Sequence, residues 1–63
     1  MDTYVVTDIL GNKYYINANS VYEYDDSIEF IASNNETVAI FTKRNIIGYV
    51  KRGFGEEESK NEN

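Results

Sequence analysis

The sequence predicts an all-β fold, a small five-stranded meander that curls into an open barrel. Three observations carry this prediction. β-Branched and aromatic residues are frequent. Apolar positions alternate rather than recurring every three or four residues. Clusters of Gly, Asn, Asp and Ser, with no proline anywhere, cut the chain into short runs. Residues 1–54 read as one barrel domain, and residues 55–63 as a disordered acidic tail.

The first strand is "TYVVTDIL", Thr3 to Leu10. It ends at Gly11-Asn12, because glycine takes positive φ without steric cost. In "KYYINANSVYEY", Tyr14, Ile16 and Ala18 form one face, and Tyr15, Asn17 and Asn19 the other. This strand is expected to continue, bent, through Val21, Tyr22 and Tyr24. Its apolar residues make no helical stripe. Asp25-Asp26-Ser27 is the next turn, followed by "IEFIA" with Ile28, Phe30 and Ala32 facing one way. "SNNE" is a hairpin turn, since Asn tolerates the left-handed region. "TVAIFT" is the fourth strand. "KRN" interrupts the pattern as one helical turn, and "IIGYVK" is a fifth strand that closes against the first. Gly48 within it marks a bulge or a close backbone approach.

A chain of 63 residues supplies a thin core, in which apolar burial and ordering entropy nearly cancel. There is no Cys and no His, so neither a disulfide nor a thiolate or imidazole metal site is available. Association is therefore the expected extra source of stability, and a homo-oligomer is expected. Free strand edges are its expected route, at Tyr4 to Leu10 and at the final strand.

The same absences argue against an enzyme. Acid–base and nucleophilic catalysis lack their usual groups. The serines have no nucleophile-elbow setting, and the glycines are not spaced as a phosphate loop. Asp25-Asp26, the one adjacent carboxylate pair in the body of the chain, reads as a solvated turn. No cofactor and no metal are expected.

Net charge is −5, from six Lys+Arg and eleven Asp+Glu. The tail "GEEESKNEN" carries four glutamates against one lysine, net −3, which leaves −2 for the body. "MDTYVVTDIL" lacks a basic start, and no run approaches a membrane span. A cytoplasmic protein without a membrane role is expected.

Binding is the remaining class of function, and a protein partner is favoured. Six tyrosines are more than a small barrel can bury. Tyr15, Tyr22, Tyr24 and Tyr49 are the candidate protein-binding residues. The alternative is nucleic acid. Lys43, Arg44, Lys51 and Arg52 flank the last strand and would have to converge on one rim, with Phe41, Tyr49 or Phe54 stacking on bases. A net-acidic body attracts phosphate poorly unless its charge is segregated. A third reading is an inhibitor that presents carboxylates in place of nucleic acid, as small acidic phage-encoded proteins do. Glu23, Asp25, Asp26 and Glu29 lie near one turn, and Glu36 would join them across the sheet.

Gly11, Asp26, Ile28, Phe30, Val38, Ile47 and Val50 together resemble the pattern of Sm-like small barrels. That pattern has a Gly near the second strand, an Asp before a hydrophobic third strand, and a final strand after a one-turn interruption. The resemblance spans Thr3 to Arg52 and implies a small barrel that assembles and binds RNA. It departs in lacking an amino-terminal helix and recognisable RNA-contact pairs. Gly11, Tyr14, Asn17 and Ala18 are also similar to the FlbD-type small proteins of flagellar operons, but the downstream half departs from them.

Overall fold

The computed structural model describes residues 1–52. The strands are β1 (Asp2–Asp8), β2 (Lys13–Ala18), β3 (Ser20–Glu23), β4 (Ser27–Ile31), β5 (Thr37–Thr42) and β6 (Ile46–Arg52). A 3-10 turn at Lys43–Asn45 separates β5 from β6. Phe54 and the acidic tail lie outside the described residues. Among the described residues, no helix is long and apolar enough to cross a membrane.

Six strands stand where five were expected because the long second strand is divided at Asn19. β2 pairs with β1, whereas β3 pairs with β4. The bent segment therefore passes from one sheet to the other. The Asn19 amide donates to the Ile31 carbonyl at 2.7 Å and holds the corner. The result is two three-stranded antiparallel sheets, ordered β2-β1-β6 and β3-β4-β5. The final strand pairs with the first, as expected. Its partner β1 is thereby the central strand, with both sides bonded, so the expected free edge at Tyr4 to Leu10 does not exist.

The period-two pattern explains which residues meet between the sheets. Tyr4 and Val6 from β1, Ala18 from β2, and Ile28 and Phe30 from β4 form the buried cluster. Ile16, Val21, Ala39, Phe41, Ile46 and Tyr49 pack around it, half-buried. Phe30, fully buried, is the hub. Its ring lies 5.3 Å from Tyr4, 5.6 Å from Tyr49 and 5.9 Å from Phe41, the last two edge-on, the geometry that ring quadrupoles favour.

The two described glycines do different work. Gly11 has φ +92° and closes the β1–β2 turn in a conformation that side chains resist. Gly48 lies beside the β1–β6 register shift, the bulge expected from sequence, but a Cβ there would meet nothing within 4 Å. Gly11→Ala is accordingly expected to destabilise the domain by about 1 kcal/mol. Gly48→Ala is expected to leave stability unchanged or raise it slightly, as judged by urea denaturation midpoints.

Candidate protein-interaction surface

The turn between β1 and β2 is "DILGN". Turns favour small polar residues, yet here Ile9 and Leu10 are 59% and 82% exposed. Asp8 explains how they are held there. Its Oδ1 accepts the Leu10 amide at 2.9 Å and the Asn12 amide at 2.8 Å. Its Oδ2 accepts the Asn12 side-chain amide at 3.1 Å and the Tyr14 hydroxyl at 2.8 Å. Backbone bonds from Gly11 to Asp8 (3.0 Å), Asp8 to Asn12 (2.9 Å) and Ile9 to the Asn45 carbonyl (3.1 Å) tie the same turn to the 3-10 segment.

Beside this turn runs an open groove of about 470 Å³. Ile9, Leu10, Tyr14, Ile40, Phe41 and Ile46 line it, together with the polar Asp8, Thr42 and Asn45. Tyr14 and Phe41 touch at 5.5 Å between ring centroids. Ile40 is 61% exposed on β5. The exposed Ile9-Leu10 pair and the uncharged strand "TVAIFT" are the sequence signals that locate this groove.

The four candidate tyrosines do not share a face. Tyr15 stands opposite Val5 on the outer side of the β1 sheet, with the Arg52 guanidinium 5.5 Å above its ring. Tyr22 and Tyr24 are exposed on the other sheet, and the Tyr24 hydroxyl donates to Glu29 at 2.8 Å. Tyr49 turns inward. It packs on Phe30 and Tyr4 and donates to Glu23 at 2.9 Å. Burial and this bond push its phenol above the ordinary value. The residue pairs with Val6, and the alternation of β6 places both on the core side.

The basic residues do not converge either. Lys43 and Arg44 lie in the 3-10 turn, and Lys51 and Arg52 at the far end of seven-residue β6, roughly 20 Å away at ~3.3 Å per residue. Lys43 pairs with Glu23 at 3.6 Å, and Lys51 with Asp2 at 3.5 Å. Asp25 and Asp26 line a depression together with Lys43 and Arg44, which neutralises that end.

The carboxylates are dispersed too. Glu23 faces Tyr49 and Lys43, Glu29 lies on the other side of its sheet, and Glu36 lies beyond the opposite end of β4 from Asp25 and Asp26. Among the described residues, no group of three or more carboxylates is arranged to hold a metal ion.

Two carboxylates are held below their ordinary values. At Asp8, desolvation pushes upward, but the Asn12 and Leu10 amides, the Tyr14 hydroxyl and the Asn12 side chain together outweigh it. At Glu29, the Thr37 hydroxyl and then the Tyr24 hydroxyl lower it. A depressed carboxylate adds stability above its unfolded-state value and loses it as pH falls through the folded-state value. Thermal midpoints are therefore expected to be flat from neutral pH to the ordinary carboxylate range and to fall below it. Glu29→Gln is expected to shrink that fall.

Compared with known proteins, the chain matches no family model, no curated protein and no solved structure.

Proposed function

We propose that this chain is a non-enzymatic protein-interaction module of the cytoplasm, built as an open small barrel of the Sm-like type and working as a homo-oligomer. The strand order, the corner at Asn19 and the 3-10 turn before the last strand support the barrel reading. One observation carries the function. The hydrogen bonds of Asp8 hold two large apolar side chains in water, at the lip of the open groove. A turn ordered in advance presents its side chains without a further ordering cost on binding. The occupant is an apolar segment of a partner protein, for which Leu10 and Ile9 form one wall and the Tyr14–Phe41 pair another. Tyr15 on one sheet and Tyr22 and Tyr24 on the other are exposed on separate outer faces and are further candidate contacts, distinct from this groove.

The test is affinity capture from the native cell with the full chain and with its Leu10→Asp variant. A partner retained by the wild type and lost by Leu10→Asp, with unchanged circular dichroism, is the expected result. Capture indifferent to Leu10, together with salt-sensitive binding of single-stranded RNA or DNA, would favour the nucleic-acid alternative.

A further inference from the structure

We infer that the outer face of the β2-β1-β6 sheet is a docking surface for the chain's own acidic segment, with Glu56, Glu57 and Glu58 set against Lys13 and Arg52. Cross-strand pairing fixes which residues look outward there, because directly opposite residues share a face. Val5 lies between Tyr15 and Val50, Thr7 between Lys13 and Gly48, and Thr3 between Asn17 and Arg52. Lys13 and Arg52 are the charged members, and both are positive. By register, no carboxylate of these three strands lies on this face, since Asp2 and Asp8 fall on the opposite side of β1. Residues 1–52 carry five basic against seven acidic side chains, net −2. The face therefore has the opposite sign to the body that bears it.

The centre of the face is apolar. Val5 is buried although it looks outward. The Arg52 side chain reaches across β1 to within 5.5 Å of the Tyr15 ring and roofs it. Tyr15 and Val50 remain 58% and 55% exposed.

Chain length and charge select the occupant. "GFGEEESKNEN" follows Arg52 and so leaves from the rim of this face. Lys13 lies two strands across and four residues along from Arg52, roughly 16 Å at ~4.8 Å per strand and ~3.3 Å per residue. An extended chain covers that distance in about five residues, which brings Glu56, Glu57 and Glu58 beside Lys13. Gly53 and Gly55 allow the chain to reverse onto the face, and Phe54 supplies an apolar side chain for Tyr15 and Val50. Tethering gives these carboxylates an effective concentration on the order of millimolar, which a dissolved acidic ligand has to exceed. The net charge of the body further disfavours a phosphate polymer. This surface is separate from the groove beside Leu10, which Tyr14 lines from the other side of β2, and does not depend on it.

The chain has no cysteine, so Ser59→Cys accepts a single nitroxide label on the full chain. Paramagnetic broadening of the backbone amide signals then tests the docking. At low salt it is expected to be stronger at Lys13 and Tyr15 than at Tyr22 and Glu29 on the other sheet. Lys13→Gln, which removes one of the two cations, is expected to shrink that difference about twofold. Glu56→Gln/Glu57→Gln/Glu58→Gln is expected to erase it, as is ~1 M salt, where the Debye length is ~3 Å. A mixture of labelled chains with unlabelled, isotope-enriched chains is expected to show no broadening. Broadening in that mixture assigns the face to another copy's segment and overturns the inference. Equal broadening of both sheets, broadening centred on Lys43 and Arg44, or a pattern unchanged by the glutamine variant also overturns it. So does a single-stranded oligonucleotide that shifts Lys13 and Tyr15 equally in the wild type and the glutamine variant, because an occupied face would resist it.

Discussion

Phe30→Ala is expected to unfold the domain. Phe30 is fully buried, and its ring contacts Tyr4 from β1, Tyr49 from β6 and Phe41 from β5. It therefore ties three strands of both sheets to β4. Removing a buried phenyl ring costs about 3–5 kcal/mol, through lost transfer energy and the cavity left behind. Domains carry about 5–15 kcal/mol in total, and small ones sit at the low end. No disulfide limits the unfolded state, because the chain has no cysteine. Far-UV circular dichroism against urea should show the variant unfolded, or with a transition at very low denaturant. Phe30→Leu retains most of the volume and should fold with a smaller loss, about 1–1.5 kcal/mol. A Phe30→Ala protein as stable as wild type would mean that the two sheets do not depend on this hub.

The hub was legible in advance because β4 alternates. Ile28 and Phe30 bracket Glu29, and a period of two leaves one assignment of faces. The same rule puts Tyr14, Ile16 and Ala18 on one face and Tyr15 and Asn17 on the other; Ala18 is buried and Ile16 half-buried, while Tyr14 stays exposed at the groove. Turn chemistry, not the period, locates the turns at Gly11 and in "SNNE", where Gly11 and Asn35 take positive φ. The rule failed where position along a strand matters less than the strand's neighbours. Tyr49 reads as surface in isolation, but its pairing with Val6 places it under the second sheet. Lys43-Arg44 and Lys51-Arg52 look close in sequence, yet an extended strand holds them apart. β6 closes against β1, as expected, and that closure itself removes the free edge expected at β1. The groove was missed for a different reason. Ile9 and Leu10 complete the run "TYVVTDIL" and read as the end of a strand, whereas Asp8 turns the chain two residues earlier.

Asp8→Ala is the substitution expected to damage the proposed function most with the least change to the core. Asp8 ends β1 and is not a member of the buried cluster. Its carboxylate accepts four hydrogen bonds from three residues, Leu10, Asn12 and Tyr14. Alanine leaves all four donors to water and frees the Tyr14 ring, which forms a groove wall with Phe41. Ile9 and Leu10 would then have to be ordered at the moment of binding, a cost that falls directly on affinity. Hydrogen exchange at the Leu10 and Asn12 amides is expected to rise about tenfold, as expected for donors released from a charged acceptor. Exchange in β4 should not change. Capture of the Leu10-dependent partner should fall in parallel. Asp8→Asn keeps one carbonyl oxygen for the two backbone amides but sets its own amide against the Asn12 side chain, so it should recover part of both effects. If exchange accelerates while capture is unaffected, the turn is ordered for stability alone, and the groove loses its claim to be a binding site.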